Sequence, residues 1–308
     1  MKVLIIDKVH HALHEILERE GYQCLDMSEA TEQEVRMALP FAEILILRSR
    51  ISIGQDEILL ARNLKVIARP GSGIEHIDTE FAHKNGIRMV TSPEGNRQSV
   101  AEHALAMLLT LFNQIIIANS QVKQAKWDRK SNEGVELSGK TVGLIGFGNT
   151  GSAFAEILSG FDVKILAFDK YKSGFPYEAS MEQIFESCDI VSLHIPLTFE
   201  TSSLISNQWL RQFKKPVYLI NTSRGPIAQS QALLEGLNNG QLKGVCLDVL
   251  DEESENLTLP EFSQIPQATR ELIQHKKAIV TPHVAGLTEQ SYEKLSRVLA
   301  EKILAEIQ

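Results

Sequence analysis

Short apolar runs alternate with helical patterns from one end of the chain to the other, and this alternation constrains the fold more than any other feature. Lys2–Asp7 is the first such run, and His11–Gly21 follows it with leucine and isoleucine at helical spacing. Strands that are apolar at every position are buried on both faces, as happens in parallel sheets covered by helices. The further runs of this kind are Glu43–Arg48, Leu64–Arg69, Ile87–Thr91, Thr141–Gly146, Val163–Asp169, Asp189–Pro196, Pro216–Asn221, Gly244–Val249 and Ala278–Thr281. The sequence therefore predicts an α/β protein built on doubly wound parallel sheets.

The length and the order of the segments predict two domains. A chain of 308 residues corresponds to two domains at roughly 150 residues each. The polar, turn-rich segment Ser131–Lys140 separates a long predicted helix, Ser99–Trp127, from a very apolar strand, and so it marks a domain entry. The amphipathic segment Thr288–Gln308 has no strand of its own left to cover, and we expect it to pack on the first domain. The predicted boundaries are residues 1–97 with 285–308 for a discontinuous first domain and residues 98–284 for a second domain inserted into it.

Composition and charge exclude several classes of protein. The chain is 43% hydrophobic and 23% charged, as in an ordinary globular protein and unlike a disordered chain or a coiled coil. A net charge of −8 argues against nucleic acid and anionic membranes as partners, although a local basic pocket can still bind a small anion. The longest apolar stretch, Ala104–Ala118, is interrupted by Asn113 and Gln114 and is too short to span a membrane. Three widely spaced cysteines predict neither a disulfide framework nor a metal site, which favours a reducing compartment, the cytoplasm.

The motif GFGNTG, residues 146–151, directly follows one of the apolar strands and opens a helix. This is the context in which such a motif binds a dinucleotide: Gly146 permits the tight turn, Gly148 lets a pyrophosphate approach the backbone, and Gly151 allows close helix–strand packing. The helix, predicted over Ser152–Ser159, offers free N–H groups and a partial positive charge to phosphate, and Asn149 and Thr150 directly precede it. We interpret these five residues as a dinucleotide-binding site.

Asp169 ends the next predicted strand, about 20 residues beyond the glycines. A carboxylate at this position accepts hydrogen bonds from the ribose hydroxyls and repels a 2′-phosphate, so NAD is favoured over NADP. Lys170 and Lys172 follow directly and leave the use of NADP open.

Three further strand ends carry residues that are able to do chemistry. Arg224 follows one buried strand, the acidic run Asp251–Glu253 lies beyond the next, and His283 follows the last. Each also has a structural interpretation: a carboxylate partner for the arginine, a solvated loop for the acidic run, and a packed core position for the histidine. In a dinucleotide-binding fold the three together predict an anion clamp, an orienting carboxylate and an acid/base.

The chain is identified as resembling the D-isomer-specific 2-hydroxyacid dehydrogenases. In the first half, Arg69–Asp78 resembles the family's substrate loop and Asn96–Glu102 resembles the start of its hinge helix. The other motifs that carry the resemblance, in chain order, are GFGNTG at 146–151, FDK at 168–170, HIPLT at 194–198, NTSRG at 221–225, LDVLDEE at 247–253 and TPHVAG at 281–286. The resemblance implies a Rossmann NAD-binding domain inserted in a flavodoxin-like substrate domain, with NAD as cofactor.

The resemblance also implies roles for residues. Arg224 would bind the substrate carboxylate, His283 would exchange a proton with the C2 oxygen, and Glu253 would hold the imidazole and favour its protonated form. Because Ser254 stands where the family usually has proline, Glu252 remains a rival to Glu253. The residues expected beside the cofactor are His194, Pro196, Thr222 and Asp248, with a purely structural strand-end role equally open for His194.

The substrate is expected to be a small acid with a second anionic group. The segment Leu47–Arg50 resembles the phosphate-contacting segment of the phosphoglycerate dehydrogenases in that family. The resemblance therefore favours 3-phosphoglycerate and 3-phosphohydroxypyruvate as the substrate pair, as in serine biosynthesis. It also predicts that no regulatory domain follows the last helix, and so no serine feedback through one. The residues expected to bind substrate are Arg48, Ser49, Gly71, Ser72, Gly73 and Asn96. A hydroxypyruvate or glyoxylate reductase is the alternative enzyme, and an NADH-sensing corepressor is the alternative that is not an enzyme.

The helix predicted from Ser99 is apolar on more than one face between Ala104 and Ile117. A single domain does not cover such a helix on all sides, so the sequence predicts a two-fold homodimer that buries the remaining face.

Overall fold

The computed structural model describes residues 1–254 and 257–307, and these fold into two compact units. Of the described residues, unit one comprises 1–97, 254, 257–258 and 287–307, and unit two comprises Gln98–Glu253 and Leu259–Gly286.

Unit one is built on a five-stranded parallel sheet with the order β2-β1-β3-β4-β5. Its strands are β1 (Lys2–Ile5), β2 (Gln23–Asp26), β3 (Ile44–Ile46), β4 (Val66–Arg69) and β5 (Arg88–Thr91). Its helices are α1 (His11–Arg19), α2 (Glu32–Ala38), α3 (Gln55–Leu60), α4 (Thr79–Lys84) and, at the end of the chain, α12 (Glu289–Ile307). The strand order is that of flavodoxin-like sheets.

Both faces of this sheet are buried, which explains why its central strands are apolar at every position. Along β1, Val3 and Ile5 pack into one core cluster, whereas Leu4 packs into the cluster on the opposite face. The helix α12 contributes Leu299 and Ile303 to the Val3 cluster. Each fully buried aliphatic side chain of this kind contributes about 1.5–3 kcal/mol to folding.

Unit two is built on a six-stranded parallel sheet with the order β11-β10-β9-β8-β6-β7. Its strands are β6 (Thr141–Ile145), β7 (Lys164–Phe168), β8 (Ile190–Leu193), β9 (Val217–Asn221), β10 (Leu242–Leu247) and β11 (Ala278–Val280). Its helices are α5 (Arg97–Phe112, whose first residue belongs to unit one), α6 (Ile115–Lys123), α7 (Asn149–Leu158), α8 (Met181–Ser187), α9 (Asn207–Leu210), α10 (Ser230–Asn239) and α11 (Gln267–Gln274).

A strand that dinucleotide-binding sheets normally carry beyond β7 is reduced here to a single bridge. Ala167 donates its N–H to the Tyr177 carbonyl at 2.7 Å, and Ala179 donates to the Ala167 carbonyl at 2.8 Å. With this bridge counted as the third strand, the order of unit two becomes the 3-2-1-4-5-6 of dinucleotide-binding sheets, with one strand added at the far edge.

The single long helix predicted over Ser99–Trp127 is wrong, because two helices occupy that segment. Gln114 lies between α5 and α6 with φ 51°, and the two helices are bent by 59° at this break. A left-handed residue cannot continue an α-helix, so the chain turns where Asn113 and Gln114 interrupt the apolar run. No single described helix is long and apolar enough to cross a membrane, although the bent pair of α5 and α6 meets the length and composition criteria together.

Candidate active site

The site residues predicted for unit two all follow the carboxyl ends of its strands. Since all six strands are parallel, these ends share one edge of the sheet, where open α/β sheets bind ligands. In chain order, Gly146 follows β6, Asp169 follows β7, His194 and Pro196 follow β8, Thr222 and Arg224 follow β9, Asp248 and Glu253 follow β10, and His283 follows β11.

The glycine turn between β6 and α7 has the geometry that a pyrophosphate requires. Gly146 has φ 97°, and a β-carbon there would lie 2.3 Å from the carbonyl oxygen of His194. A β-carbon on Gly151 would lie 2.2 Å from the carbonyl oxygen of Gly146, so α7 packs directly on the turn. Around Gly148, by contrast, the space is open. Asn149 and Thr150 form the first turn of α7 behind it, where free N–H groups favour an anion.

Asp169 is held beside this turn by backbone N–H groups. Its Oδ2 accepts a hydrogen bond from the Phe147 N–H at 2.8 Å, and its Oδ1 accepts from Tyr171 at 2.9 Å and Lys172 at 3.1 Å. Burial acts to raise the pKa of the Asp169 carboxyl, but these backbone donors outweigh it and lower the pKa below its usual value. Lys170 is engaged away from Asp169, in an ion pair with Glu200.

Two side chains that follow the adjacent strands β8 and β9 have a buried polar atom without a hydrogen-bond partner among the described residues: Nδ1 of His194 and Oγ1 of Thr222. The other nitrogen of His194, Nε2, pairs with the Ser192 hydroxyl at 2.9 Å. Burial lowers the pKa of His194 to about 3, so this imidazole is neutral and is not an acid/base at neutral pH. Pro196 is exposed and its carbonyl accepts from Thr201. Unpaired buried polar atoms and an open glycine fit a bound dinucleotide.

His283 and Glu253 form a partly buried pair. The Nδ1 of His283 lies 3.0 Å from Oε2 of Glu253, and the two side chains are 19% and 12% exposed. His283 has φ 53°, which a non-glycine residue adopts at a cost of about 1–3 kcal/mol when its surroundings hold it. The carbonyl of Asp248 holds it by accepting the His283 N–H at 2.8 Å. With Nδ1 bound to the carboxylate, Nε2 is the nitrogen left for a substrate.

Arg224 lies at the end of β9 in a turn that adjacent residues fix. The Asn221 side chain donates to the Arg224 carbonyl at 2.9 Å, and the Nη1 of Arg224 donates to the Ser223 carbonyl at 2.8 Å. A β-carbon on Gly225 would lie 1.8 Å from the carbonyl oxygen of Leu250. The turn that carries Arg224 is therefore packed against the loop that leads to Glu253.

Asp248, predicted beside the cofactor, is the acceptor around which the histidine loop is organised. Its Oδ1 accepts from the Thr281 hydroxyl at 2.6 Å and the Val284 N–H at 2.9 Å, and its Oδ2 accepts from the Ala285 N–H at 2.8 Å. Asp248 is 1% exposed. His103 completes the cluster, with Nε2 3.0 Å from Oγ1 of Thr281 and 3.6 Å from Oδ1 of Asp248.

The rival carboxylate, Glu252, points elsewhere. Its Oε1 accepts from the hydroxyl of the buried Thr269 on α11, whereas Asp251 accepts from the N–H and hydroxyl of Ser230 at the start of α10. Burial, followed by the hydrogen bond and the charge of Asp251, raises the pKa of Glu252 to about 7. Glu253, and not Glu252, contacts His283.

In unit one the predicted substrate residues likewise follow strand ends. Arg48 lies beyond β3, and its guanidinium carbon is 4.8 Å from the ring centroid of Tyr292 on α12. The Arg48 N–H donates to Oδ2 of Asp7 at 2.5 Å. The aromatic ring orients the guanidinium while leaving its N–H edge able to bind an anion.

Arg50 has a structural role within unit one. Its guanidinium donates to the carbonyls of Ala30, Ile6 and Met27, and its Nε lies 3.4 Å from Oδ1 of Asp7. The guanidinium is thereby committed to backbone acceptors, and Arg48 is left as the arginine of this segment that can face a ligand.

The remaining predicted residues of unit one belong to two loops. Gly71, Ser72 and Gly73 follow β4, with both glycines buried and Ser72 exposed. Ser49 and Asn96 are half-buried, beyond β3 and β5. The Nη1 of Arg69 lies 2.6 Å from the position that a β-carbon on Gly71 would occupy, so this guanidinium lies against the glycine loop.

Sequence reasoning missed two histidines, the half-buried His103 and the buried His76. His103 was not singled out because its partners, Thr281 and Asp248, are distant in sequence. His76 follows the glycine loop, and burial, then the charge of Arg69, lowers its pKa to about 4. The Nε2 of His76 has no hydrogen-bond partner among the described residues. The position of His76 within the motif at residues 69–78 was the sequence signal from which it could have been found.

The fold and the site define a class: unit two is a dinucleotide-binding α/β domain whose sheet edge carries an arginine and a histidine–carboxylate pair. The comparisons with known proteins agree. Residues 105–285 match the family model described as D-isomer specific 2-hydroxyacid dehydrogenase, NAD binding domain.

Three relatives illustrate the match. The chain is 33% identical over 307 residues to D-3-phosphoglycerate dehydrogenase of Rattus norvegicus, covering 97% of this chain and 55% of the rat protein. It is 32% identical over 311 residues to hydroxypyruvate reductase of Thermotoga maritima, covering 97% and 98%. The solved structure of D-lactate dehydrogenase from Aquifex aeolicus, complexed with NAD and lactic acid, superposes with a TM-score of 0.81 at 27% identity, covering 100% of this chain and 95% of that chain.

The chain belongs to the D-isomer-specific 2-hydroxyacid dehydrogenase family. This confirms the resemblance stated from the motifs, the predicted α/β fold and the prediction of NAD as the cofactor. The chain spans about half the length of the curated phosphoglycerate dehydrogenases that it matches.

Proposed function

We propose that the protein is an NAD-dependent dehydrogenase that interconverts a D-2-hydroxy acid and its 2-keto acid. The observation that carries the proposal is the His283–Glu253 pair, which follows a strand of the NAD-binding domain at the same sheet edge as Arg224. A protein that only senses NADH does not need an acid/base, an orienting carboxylate and an anion clamp together. In this proposal unit two is the NAD-binding domain and unit one binds the substrate.

The residues of the chain have distinct roles in this reaction. NAD, when bound, supplies the hydride acceptor at its nicotinamide ring. Arg224 binds the substrate carboxylate and polarises the C2 oxygen. His283 takes the hydroxyl proton on Nε2 during oxidation and returns it during reduction, while Glu253 holds the ring through Nδ1.

The cofactor site is proposed to use the glycine turn with Asn149 and Thr150 for the pyrophosphate and Asp169 for the ribose. His194, Pro196 and Thr222 lie at adjacent strand ends, and the neutral imidazole of His194 serves as a packing and hydrogen-bonding group. Asp248 acts on the cofactor only through the loop that it organises.

The catalytic assignment is tested with His283→Ala and Arg224→Ala. Loss of a general acid/base lowers the rate by about 10²–10⁴-fold, and we expect both variants to lose kcat/KM while still binding NADH. Wild-type activity in either variant would overturn the assignment. A wild-type protein that binds NADH but reduces no 2-keto acid would favour the corepressor alternative.

We propose 3-phosphoglycerate as the substrate, as in serine biosynthesis, with Arg48 binding the phosphate. The support is the position of Arg48 at the carboxyl edge of unit one, oriented by Tyr292, near Ser49. Gly71, Ser72 and Gly73 offer N–H groups to the substrate carboxylate, and Asn96 completes the set.

Hydroxypyruvate or glyoxylate reduction is the second candidate, and one observation favours it. Arg50, the other arginine of the segment, is already bound to three backbone carbonyls, so the anion site contains one arginine fewer than its sequence suggests.

A substrate panel with a matched pair of variants separates the candidates. A charge-assisted hydrogen bond contributes about 1.5–3 kcal/mol, so Arg48→Met should lower kcat/KM for 3-phosphohydroxypyruvate by about 10- to 100-fold. The same change should leave hydroxypyruvate nearly unaffected, and the exposed Arg62→Met should affect neither substrate. If the wild type has the same kcat/KM for hydroxypyruvate as for 3-phosphohydroxypyruvate, hydroxypyruvate reduction is the correct function.

We propose that the protein forms a homodimer in the cytoplasm, with a small anionic substrate as its other partner and with neither nucleic acid nor membrane. The support for the dimer is α6, on which Ile115, Ile116 and Val122 are 52–55% exposed, close in sequence to the exposed Trp127. The support for a reducing compartment is that all three cysteines are free thiols. Sedimentation as a monomer at micromolar concentration would overturn the dimer.

A further inference from the structure

Outside the proposed active site, α1 and β2 bring a histidine, a glutamate and a cysteine together. One potential ligand atom from each of His14, Glu18 and Cys24 lies within 4.8 Å of the other two. The reaction proposed above uses none of these residues, and the inference that follows does not depend on it.

Local structure places these side chains on one surface. His14 and Glu18 are four residues apart on α1, so they lie one above the other on the same face of the helix. Cys24 and Asp26 are two residues apart on β2, an edge strand, so they share a face of the strand. Asp26 joins the group through its Oδ2, which lies 3.7 Å from Nε2 of His14.

A thiol, an imidazole and a carboxylate together match a divalent ion of intermediate softness, such as zinc. Zinc takes cysteine sulfur, histidine nitrogen and carboxylate oxygen at about 2.0–2.3 Å in a tetrahedron, which separates the ligand atoms by about 3.5 Å. The ligand atoms lie within 4.8 Å of one another, so binding requires rotation of these side chains, of which Glu18 is exposed and His14 and Cys24 are partly buried. Magnesium and calcium require oxygen ligands and do not fit a site with a thiol and an imidazole.

A disulfide role for Cys24 fits less well, because all three cysteines of the chain are free thiols. The other cysteines, Cys188 and Cys246, are fully buried in unit two, where they pack in the core.

We propose that His14, Glu18 and Cys24 bind one divalent ion of the zinc type, with Asp26 orienting the imidazole of His14. A carboxylate that accepts the second N–H of a ligating histidine is the usual outer partner of such sites. Water occupies the fourth position of the tetrahedron. The ion joins α1 to the edge strand β2, and α1 also packs against α12, so binding stabilises this side of unit one.

Cobalt substitution of the full chain tests this site. After treatment with a chelator, Co²⁺ is added, and sulfur-to-cobalt charge transfer in the near ultraviolet reports a cysteine ligand. We expect one Co²⁺ per chain with this band, displacement by Zn²⁺, and a higher Tm when Zn²⁺ is present.

The variants are chosen to separate ligation from folding. Cys24→Ser should abolish the charge-transfer band, and Glu18→Gln, at an exposed position, should weaken binding while the fold stays intact. Asp26→Asn should weaken binding by about 10- to 100-fold. The matched control is His11→Ala. His11 and Glu15 are also four residues apart on α1, with Nε2 of His11 3.7 Å from Oε1 of Glu15, but the cluster that contains Cys24 does not include them.

Two results would overturn the proposal. One is a titration without a charge-transfer band in the wild type. The other is a band, or a Zn²⁺-dependent rise in Tm, that persists in both Cys24→Ser and Glu18→Gln. If Cys24→Ser does not fold, Glu18→Gln against His11→Ala still decides the question, because both residues are exposed.

Discussion

Replacement of Asp248 by asparagine or alanine is the sharpest test of how the histidine loop is held. Asp248 accepts three hydrogen bonds from the loop, and it is almost completely buried. In Asp248→Asn, the amide oxygen can keep the position of Oδ1, where Thr281 and Val284 donate. The amide nitrogen then faces the N–H of Ala285, so two donors meet and one buried N–H loses its acceptor.

The cost follows from these contacts. A buried donor without an acceptor costs about 1–3 kcal/mol, and replacing a charged acceptor by a neutral one weakens the two remaining bonds. We therefore expect Asp248→Asn to lower the free energy of unfolding of unit two by about 2–4 kcal/mol. In Asp248→Ala the Thr281 hydroxyl keeps its contact with His103, but two backbone N–H groups lose their acceptor, and we expect a loss of about 3–5 kcal/mol.

Urea unfolding followed by tryptophan fluorescence measures this effect. Trp127 and Trp209 are the only tryptophans of the chain and both belong to unit two. The control is Asp162→Asn, at an exposed carboxylate that accepts from Ser138, for which we expect a change of less than about 0.5 kcal/mol.

The same variants separate two roles for Asp248. If it acts by holding the loop, kcat falls because His283 is displaced, whereas the Kd for NADH changes little. A variant as stable as the control, or one that loses only NADH affinity, would refute the account of Asp248 as the acceptor that organises the loop.

Three further outcomes are expected. Burial raises the pKa of Glu252 from its ordinary value of 4.5 to about 7, so between pH 4.5 and pH 7 the folded state binds a proton that the unfolded state does not. The free energy of unfolding of the wild type therefore falls as the pH rises through this range. In urea unfolding at pH 5 and pH 8, Glu252→Gln should be more stable than the wild type at the higher pH, by about 1–2 kcal/mol after solvent screening. Glu200→Gln frees Lys170 for a 2′-phosphate, and the ratio of kcat/KM for NADPH to that for NADH should rise about two- to five-fold; an unchanged ratio would show that the ion pair does not set cofactor choice. Gly151→Ala forces a β-carbon against the carbonyl of Gly146, and NADH titration should show affinity weakened by about 1–3 kcal/mol, so wild-type affinity would contradict the packing described for the turn.

The parallel arrangement made much of the site predictable. Strands such as β6 and β8 are apolar at nearly every position because both faces of the sheet are covered, and this pattern is visible without a structure. Once the strands are known to be parallel, residues that follow them must share an edge. Gly146, Arg224 and His283 could therefore be grouped although they are far apart in sequence.

Other features could not be predicted, and each depends on contacts between distant residues. The strand β2 was not predicted because it is an edge strand, with Gln23, Leu25 and Asp26 exposed, and so it lacks the apolar pattern. The only sign of the break at Gln114 in the sequence is a polar interruption of an apolar run. A continuous helix tolerates such an interruption, so the sequence did not indicate a break. The His14–Cys24 cluster joins a helix and a strand whose pairing only the fold brings about.

The class of the fold, the family and the dinucleotide turn could be predicted without a structure, because each rests on short-range chemistry: alternation of apolar segments, glycines at fixed spacing, and an acid at the end of the next strand. Which of several equivalent side chains contacts a given partner depends on the packing of elements that are distant in sequence. Glu253 contacts His283, whereas Glu252 accepts a hydrogen bond from Thr269. Arg50 donates to backbone carbonyls, whereas Arg48 lies at the carboxyl edge of the sheet. Neighbouring residues of the same type share one sequence context, so the sequence does not distinguish between them. They differ only in the distant elements against which each side chain packs.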